Sequence, residues 1–194
     1  MRTAEVERKT LETEIKINLN LDGTGKKNIS TGVKFFDHML EQIASHGYFD
    51  MDISANSLDK DVHHVVEDVA LALGEAFRKA IGDKKGINRY GYTVIPMDES
   101  LSLVSIDISG RPFCAYTGEI GEELVSDFET ALVKHFFLSF STTAMMTVHV
   151  RLLDGEDPHH KIESMFKAFA RALNIACSVN QAHADALPST KGVL

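Results

Sequence analysis

Residues 61–76 read DVHHVVEDVALALGEA, and residues 157–172 read DPHHKIESMFKAFARA. Asp, His, His and Glu stand in register between the two, as do Ala72 with Ala168 and Ala76 with Ala172. The offset is 96 residues, about half of a 194-residue chain. His38, in GVKFFDHMLEQIASHG (32–47), precedes the first copy; His135, in ELVSDFETALVKHFFLSFSTTA (123–144), precedes the second at an offset of 97. Self-similarity at this period describes a tandem duplication of a strand-helix-strand-helix unit. We therefore expect one domain over 1–194 made of two pseudo-symmetric halves, about 1–92 and 93–194.

The elements between these landmarks follow from periodicity. In LETEIKINLNLDGTG (11–25), Leu11, Ile15, Ile17, Leu19 and Leu21 alternate with polar residues, which predicts a half-buried strand entering a hairpin at Asp22-Gly23. In 32–47 the period changes: Val33, Phe36, Leu40, Ile43 and Ala44 share one helical face, with Gly47 as the stop. FDMDISAN (49–56) reads as a short strand, and a long helix starts after Asp61. YGYTVIPMDE (90–99), LSLVSIDIS (101–109) and RPFCAYTG (111–118) read as three strands, followed by a helix over 123–144, the strand MMTVHVRLL (145–153) and a last helix from His159 to about Val179. Helices interleaved with hairpin-connected strands give an α+β class, a sheet layered with helices.

Composition removes several functions. With 44% hydrophobic and 25% charged residues the chain has the balance of a globular protein. A net charge of -8 with no basic stripe argues against nucleic acid. The charged start MRTAEVERKTLETE has no apolar signal region, and no run of about 18 apolar residues could span a membrane. Cys114 and Cys177 are far apart and outside any C-x-x-C spacing, so a reducing, cytoplasmic setting is expected.

On a helix, His63 and Glu67 share a face, as do His159 and Glu163. Adjacent histidines diverge by about 100 degrees, so His63 and His64 cannot chelate one ion, nor can His159 and His160. A single His-His-x-x-Glu is as consistent with a solvated helix start as with a ligand set. Two copies, each preceded by a further histidine, make metal binding the better reading. Six histidines and two glutamates divide into two sites of three His and one Glu. Ligands without thiolate suit Mn, Fe, Ni, Co or Zn, and four protein ligands leave two positions open on an octahedral ion such as Mn(II). Asp61 and Asp157 are either helix caps or partners to imidazole N–H groups.

Taken with RYGYTVIPMDESL (89–101), DISGRPF (107–113) and PSTKGV (188–193), these segments resemble the imidazoleglycerol-phosphate dehydratase family along essentially the whole chain. The resemblance implies a ribosomal protein S5 domain 2-like half-domain, duplicated, and a 24-subunit shell with two Mn(II) ions at each active site between subunits. It implies one ion on His38, His64, His159 and Glu163, and the other on His63, Glu67, His135 and His160. It assigns the substrate's phosphate to Arg89, Arg111, Ser189 and Lys191, residues that would otherwise read as surface groups.

The same resemblance implies dehydration of imidazole glycerol phosphate to imidazole acetol phosphate in histidine biosynthesis. Glu12 matches a substrate-contacting glutamate and is the expected acid/base, with metal-bound water as the alternative; Glu67 and Glu163 act through the ions. His46, near a helix end, is a candidate substrate contact or a dipole partner. His149 reads as structural, while His183, Asp98 and Glu99 carry no assignment, the carboxylates reading as turn groups. A dinuclear hydrolase of a small phosphorylated metabolite could use similar ligands, but no bridging carboxylate is evident.

Overall fold

The computed structural model describes residues 1–194 and repeats one unit twice. The first unit holds strands β1 (Thr3–Lys9), β2 (Thr13–Asn20) and β3 (Lys27–Ser30), helix α1 (Lys34–Gly47), strand β4 (Asp50–Ser57) and helix α2 (Val62–Ile81). The second holds β5 (Tyr90–Met97), β6 (Ser100–Asp107), β7 (Phe113–Thr117), α3 (Ala131–Ala144), β10 (Thr147–Asp154) and α4 (Pro158–Cys177). A two-stranded hairpin, β8 (Leu124–Val125) with β9 (Phe128–Glu129), is inserted before α3. The helices α2 and α4 both have 20 residues, and α1 and α3 both have 14.

Each unit forms a four-stranded sheet, ordered β1-β2-β4-β3 and β5-β6-β10-β7, with the last pair parallel and the others antiparallel. The period-two pattern sets which face meets the helices: Thr13, Ile15, Ile17 and Leu19 are buried along β2, and Ser100, Ser102, Val104 and Ile106 along β6. The helices exchange partners between units, α2 packing mainly on α3 and α1 on α4. Close approach of α2 and α3 requires Gly74, where a Cβ would come within 2.5 Å of the Phe140 carbonyl oxygen and 2.9 Å of the Ala144 nitrogen.

The core is one cluster of 49 buried residues with phenylalanines at its centre. The Phe136 ring lies 5.0 Å from Phe166, 5.4 Å from Phe137 and 5.8 Å from Phe36. It is fully buried and flanked by rings from three helices. Phe136→Ala is expected to cost about 3–5 kcal/mol of unfolding free energy, measured by denaturant titration at fixed protein concentration. A loss well under 1 kcal/mol would contradict this packing.

Three expectations need correction. No hairpin forms at Asp22-Gly23: β2 pairs with β1 before it and with β4, and β3 lies across the sheet. The strand β1 escapes the sequence pattern because only Val6 is buried in a run of charged residues, as suits an edge strand. Leu11 is exposed, since residues 10–12 form the β1–β2 turn, closed by Thr10 Oγ1 accepting from the Glu12 and Thr13 N–H groups. Residues 123–130 are not helical; Ser126, in the left-handed region with φ 57°, turns them into the β8–β9 hairpin. The expected stop of α1 at Gly47 holds; the left-handed Tyr48 follows it, and Met145 follows α3 in the same way, both at φ 56°. No helix is long and apolar enough to cross a membrane.

Candidate metal centre

Both long helices begin alike. Asp61 accepts the His63 N–H at 2.8 Å, and Asp157 accepts those of His159 at 2.7 Å and His160 at 3.2 Å. These are N-caps, which settles the alternative left open for the two aspartates. Pro158 at the first helical position reinforces the second start. With the starts fixed, each adjacent His pair fans out on consecutive positions, about 100 degrees apart.

His63 and His159, one from each pair, each join a three-donor cluster with a histidine of another helix, and a third, more exposed group gathers Glu12, Asp59 and His64. In the first cluster His38 from α1 and His159 from α4 aim Nε2 at Glu163 Oε2, at 3.2 and 2.9 Å. In the second, His63 Nε2 lies 3.6 Å from Glu67 Oε2 on α2, and the His63 ring lies 4.6 Å from the His135 ring on α3. Within each trio the donor atoms lie within 4.8 Å of one another. Because α1 packs on α4 and α2 on α3, each trio combines residues of both units.

The trios suit a cation. Two imidazoles and one carboxylate supply the nitrogen and oxygen donors that divalent transition ions take. His135 Nδ1 is buried with no hydrogen-bond partner, a costly state for a purely structural histidine. The trios differ in one respect: Glu163 is buried and Lys167 donates to its Oε1 at 2.8 Å, whereas the residue one turn after Glu67 is Leu71. Burial pushes the Glu163 carboxyl up, but hydrogen bonds from Lys167 and His159, with the Lys167 charge and His38, hold it below its ordinary value.

His64 and His160 join neither trio, so of each expected four-ligand set this chain brings together three members. His64 Nδ1 lies 2.6 Å from Asp59 Oδ2, and His160 Nδ1 lies 2.9 Å from Glu99 Oε2. The hydrogen bond that His64 donates to Asp59 raises its pKa, and the one that His160 donates to Glu99 raises its own, against a smaller opposing effect of burial. Glu99 is therefore more than a turn residue. It also accepts the backbone N–H groups of Glu156 and Asp157, tying the β5–β6 turn to the start of α4.

The remaining candidates are dispersed. Glu12 sits in the β1–β2 turn rather than on a strand face, and its Oε1 is 3.9 Å from His64 Nε2. His46 lies in the last turn of α1, where burial and the Lys167 and Arg171 charges push its pKa down. Arg89, left-handed at φ 71°, donates from Nε and Nη2 to Asp107 at 2.7 and 3.3 Å and from Nη1 to the Pro188 carbonyl at 2.8 Å. It thereby holds the C-terminal segment that carries Ser189 and Lys191, and two of its five N–H groups remain for another acceptor. A Cβ at Gly110, next to Arg111, would lie 2.8 Å from the Leu194 carbonyl carbon, so this segment runs past both arginine positions. The Arg89 N–H bonds the Ala176 carbonyl near the C-terminal end of α4. Glu163 is at the other end, about 20 Å along the helix. His149 packs by Phe113, with ring centroids 6.1 Å apart, and His183 is exposed.

Sequence reasoning missed Asp59, Glu99 and Lys167 at these sites. Lys167 was readable as the residue four after Glu163 on the same face. The other two were not, because each lies outside the helix it serves.

A family model described as imidazoleglycerol-phosphate dehydratase matches residues 31–173, a span that holds all of α1 to β10 and most of α4 but omits Glu12, Ser189 and Lys191. The imidazoleglycerol-phosphate dehydratase of Chromobacterium violaceum is 50% identical over 195 residues, covering 100% of this chain and 99% of that protein. The crystal structure of the Staphylococcus aureus dehydratase has a TM-score of 0.83 at 37% identity, covering 92% of this chain and 99% of that one. That of the Pyrococcus furiosus protein has a TM-score of 0.84 at 35% identity, covering 97% and 100%. Agreement of this extent in sequence and in fold, spanning the helices that carry both trios, makes the chain a member of the imidazoleglycerol-phosphate dehydratase family.

Proposed function

We infer that this chain is a metal-dependent hydro-lyase that converts imidazole glycerol phosphate to imidazole acetol phosphate and water in histidine biosynthesis. The observation that carries the reading is the pair of three-donor trios on helices matched by the family model. We propose Mn(II) as the ion, two at each active site, since nitrogen and oxygen donors without thiolate suit it. One ion takes His38, His159 and Glu163 with His64, and the other takes His63, Glu67 and His135 with His160, the fourth histidine coming from another copy. Supporting this division, His64 and His160 engage carboxylates outside the trios of their own chain. A second support is distance: the Arg89 end of α4 lies too far from Glu163 for one small substrate to bridge within a single chain.

Assembly is thus part of the reading, up to a 24-subunit shell. Tyr90, Tyr92 and Val94 line the exposed face of β5, and Tyr92 is 72% exposed. Apolar groups so grouped are suited to burial against another copy. We further propose that both halves act as one dehydratase domain, that the enzyme works in the cytoplasm, and that neither nucleic acid nor membrane is a partner.

The residues of these sets would hold a divalent ion that, when bound, would supply Lewis-acid chemistry to the substrate's imidazole and so ease loss of the hydroxyl group. Arg89, Arg111, Ser189 and Lys191 hold the phosphate by charge-assisted hydrogen bonds and so fix the three-carbon chain. His46 contributes a neutral contact. Glu12, whose Oε1 is 3.9 Å from His64 Nε2, removes the proton from the middle carbon. The C–O bond at the ring-attached carbon breaks, the hydroxyl leaves as water after taking a proton, and the enol product becomes the ketone.

Product identity tests the reading against a dinuclear hydrolase. Incubation with imidazole glycerol phosphate is expected to yield a ketone with no inorganic phosphate. Release of phosphate without ketone would overturn it.

A further inference from the structure

Two carboxylates outside the trios meet the two histidines that the trios leave out. Asp59, in the β4–α2 loop, reaches His64 Nδ1 at 2.6 Å; Glu99, in the β5–β6 turn, reaches His160 Nδ1 at 2.9 Å. The contact is the same in both units, yet it is not inherited from the duplication. The residue that matches Asp59 at the 96-residue offset is Gly155, where a Cβ would meet the Ser100 side chain and Lys161 Cγ. The second unit supplies its carboxylate from a different strand pair. One contact reached by two routes points to a demand of the histidine itself.

Each carboxylate is fixed by its other oxygen. Asp59 Oδ1 accepts the Asp61 N–H at 3.0 Å and the Ser57 hydroxyl at 3.2 Å. Glu99 Oε1 accepts the Asp157 N–H at 2.8 Å, the Glu156 N–H at 3.1 Å and the Ser100 hydroxyl at 3.0 Å. The oxygen left facing the ring can only accept, so Nδ1 carries the hydrogen and the neutral ring keeps its lone pair on Nε2. That second nitrogen has no hydrogen-bond partner: the nearest carboxylate oxygen to His64 Nε2 is Glu12 Oε1 at 3.9 Å, and to His160 Nε2 it is Asp98 Oδ2 at 3.8 Å. Both rings are partly exposed, and none of the trio histidines has a carboxylate on Nδ1.

We propose that Asp59 and Glu99 are positioning residues that hold the proton of His64 and His160 on Nδ1 and aim Nε2 outward, at a cation held by the trio of another copy. This rests on the assignment of His64 and His160 as fourth ligands made above. Orientation by an outer carboxylate makes an imidazole a better ligand, and its loss typically weakens metal affinity by about 10–100-fold.

Asp59→Asn and Glu99→Gln in the full chain separate this role from loop capping. The amide oxygen still accepts the backbone N–H groups, and the amide N–H then faces Nδ1 and forces the ring proton to Nε2. Turning the amide round would set its N–H against backbone donors. Mn(II) affinity, read as free Mn(II) by electron paramagnetic resonance, is expected to fall about 10–100-fold in each variant, with helix content by circular dichroism unchanged. His64→Ala and His160→Ala, measured alongside, should also weaken binding. Wild-type affinity in both amide variants, with weakened binding in both alanine variants, would overturn the positioning role and leave the ligand assignment standing. Wild-type affinity in the alanine variants would overturn both.

Discussion

His135→Ala is expected to reduce bound metal from two ions per chain to one and to lower kcat/KM by at least about 10³-fold. The reasoning begins with the ring's surroundings. His135 stands on α3 among buried phenylalanines, 4.6 Å from the His63 ring by centroids, with an unpartnered Nδ1. Removing it takes away a donor and leaves His63 and Glu67 as this chain's only ligands to that ion, with His160 of another copy. The loss of a Lewis acid is worth several kcal/mol of transition-state stabilisation, and each 1.4 kcal/mol or so is tenfold in rate. Stability should change little, because the substitution also deletes a buried polar atom that no hydrogen bond satisfies. Metal analysis and steady-state kinetics on the same preparation check both halves of the statement. A variant that keeps two ions and full turnover would remove His135 from the site.

Glu12→Gln is expected to lower kcat by about 10²–10⁴-fold while metal content and KM stay near those of the unchanged enzyme. Glutamine keeps the shape of the side chain in the β1–β2 turn and cannot accept a proton. The turn itself is closed by Thr10, whose hydroxyl accepts the Glu12 and Thr13 backbone N–H groups, so the substitution leaves the backbone contacts intact. A change in kcat without a change in KM marks a group that acts in the transition state. Turnover near that of the unchanged enzyme would sink the acid/base role of Glu12.

The legible parts of the fold are those where a local pattern and a tertiary demand agree. Helices α2 and α4 are announced by an Asp cap, a three-to-four periodicity and their own repetition, and each begins within a residue of its expected start. The strand β1 was hidden because Glu5, Glu7, Arg8 and Lys9 give an edge strand the composition of a solvated tail. The β8–β9 hairpin was hidden for a different reason: Leu124, Val125 and Phe128 continue an apolar spacing that also fits a helix, and the left-handed Ser126 breaks it.

The site divides along the same line. Divergence of adjacent histidines already required two separate clusters, and the trios contain one histidine from each pair. Which residue completes the surroundings of His160 was not legible, since Glu99 lies 61 positions earlier and arrives through β5–β6 pairing. Nor could periodicity bring Arg89 to Pro188, a contact 99 residues apart made by an arginine in a left-handed turn. Ligand pairs four apart on one helix are written in the chain; partners brought by sheet register are not.

That the duplicated trios carry metal-dependent dehydration is tested most directly by titration. Protein stripped with a chelator is supplied with increasing Mn(II), and ketone formation from imidazole glycerol phosphate is followed together with bound metal. The expected result is no ketone without metal, with turnover rising as two ions bind per chain. Full ketone formation by metal-free protein would contradict it.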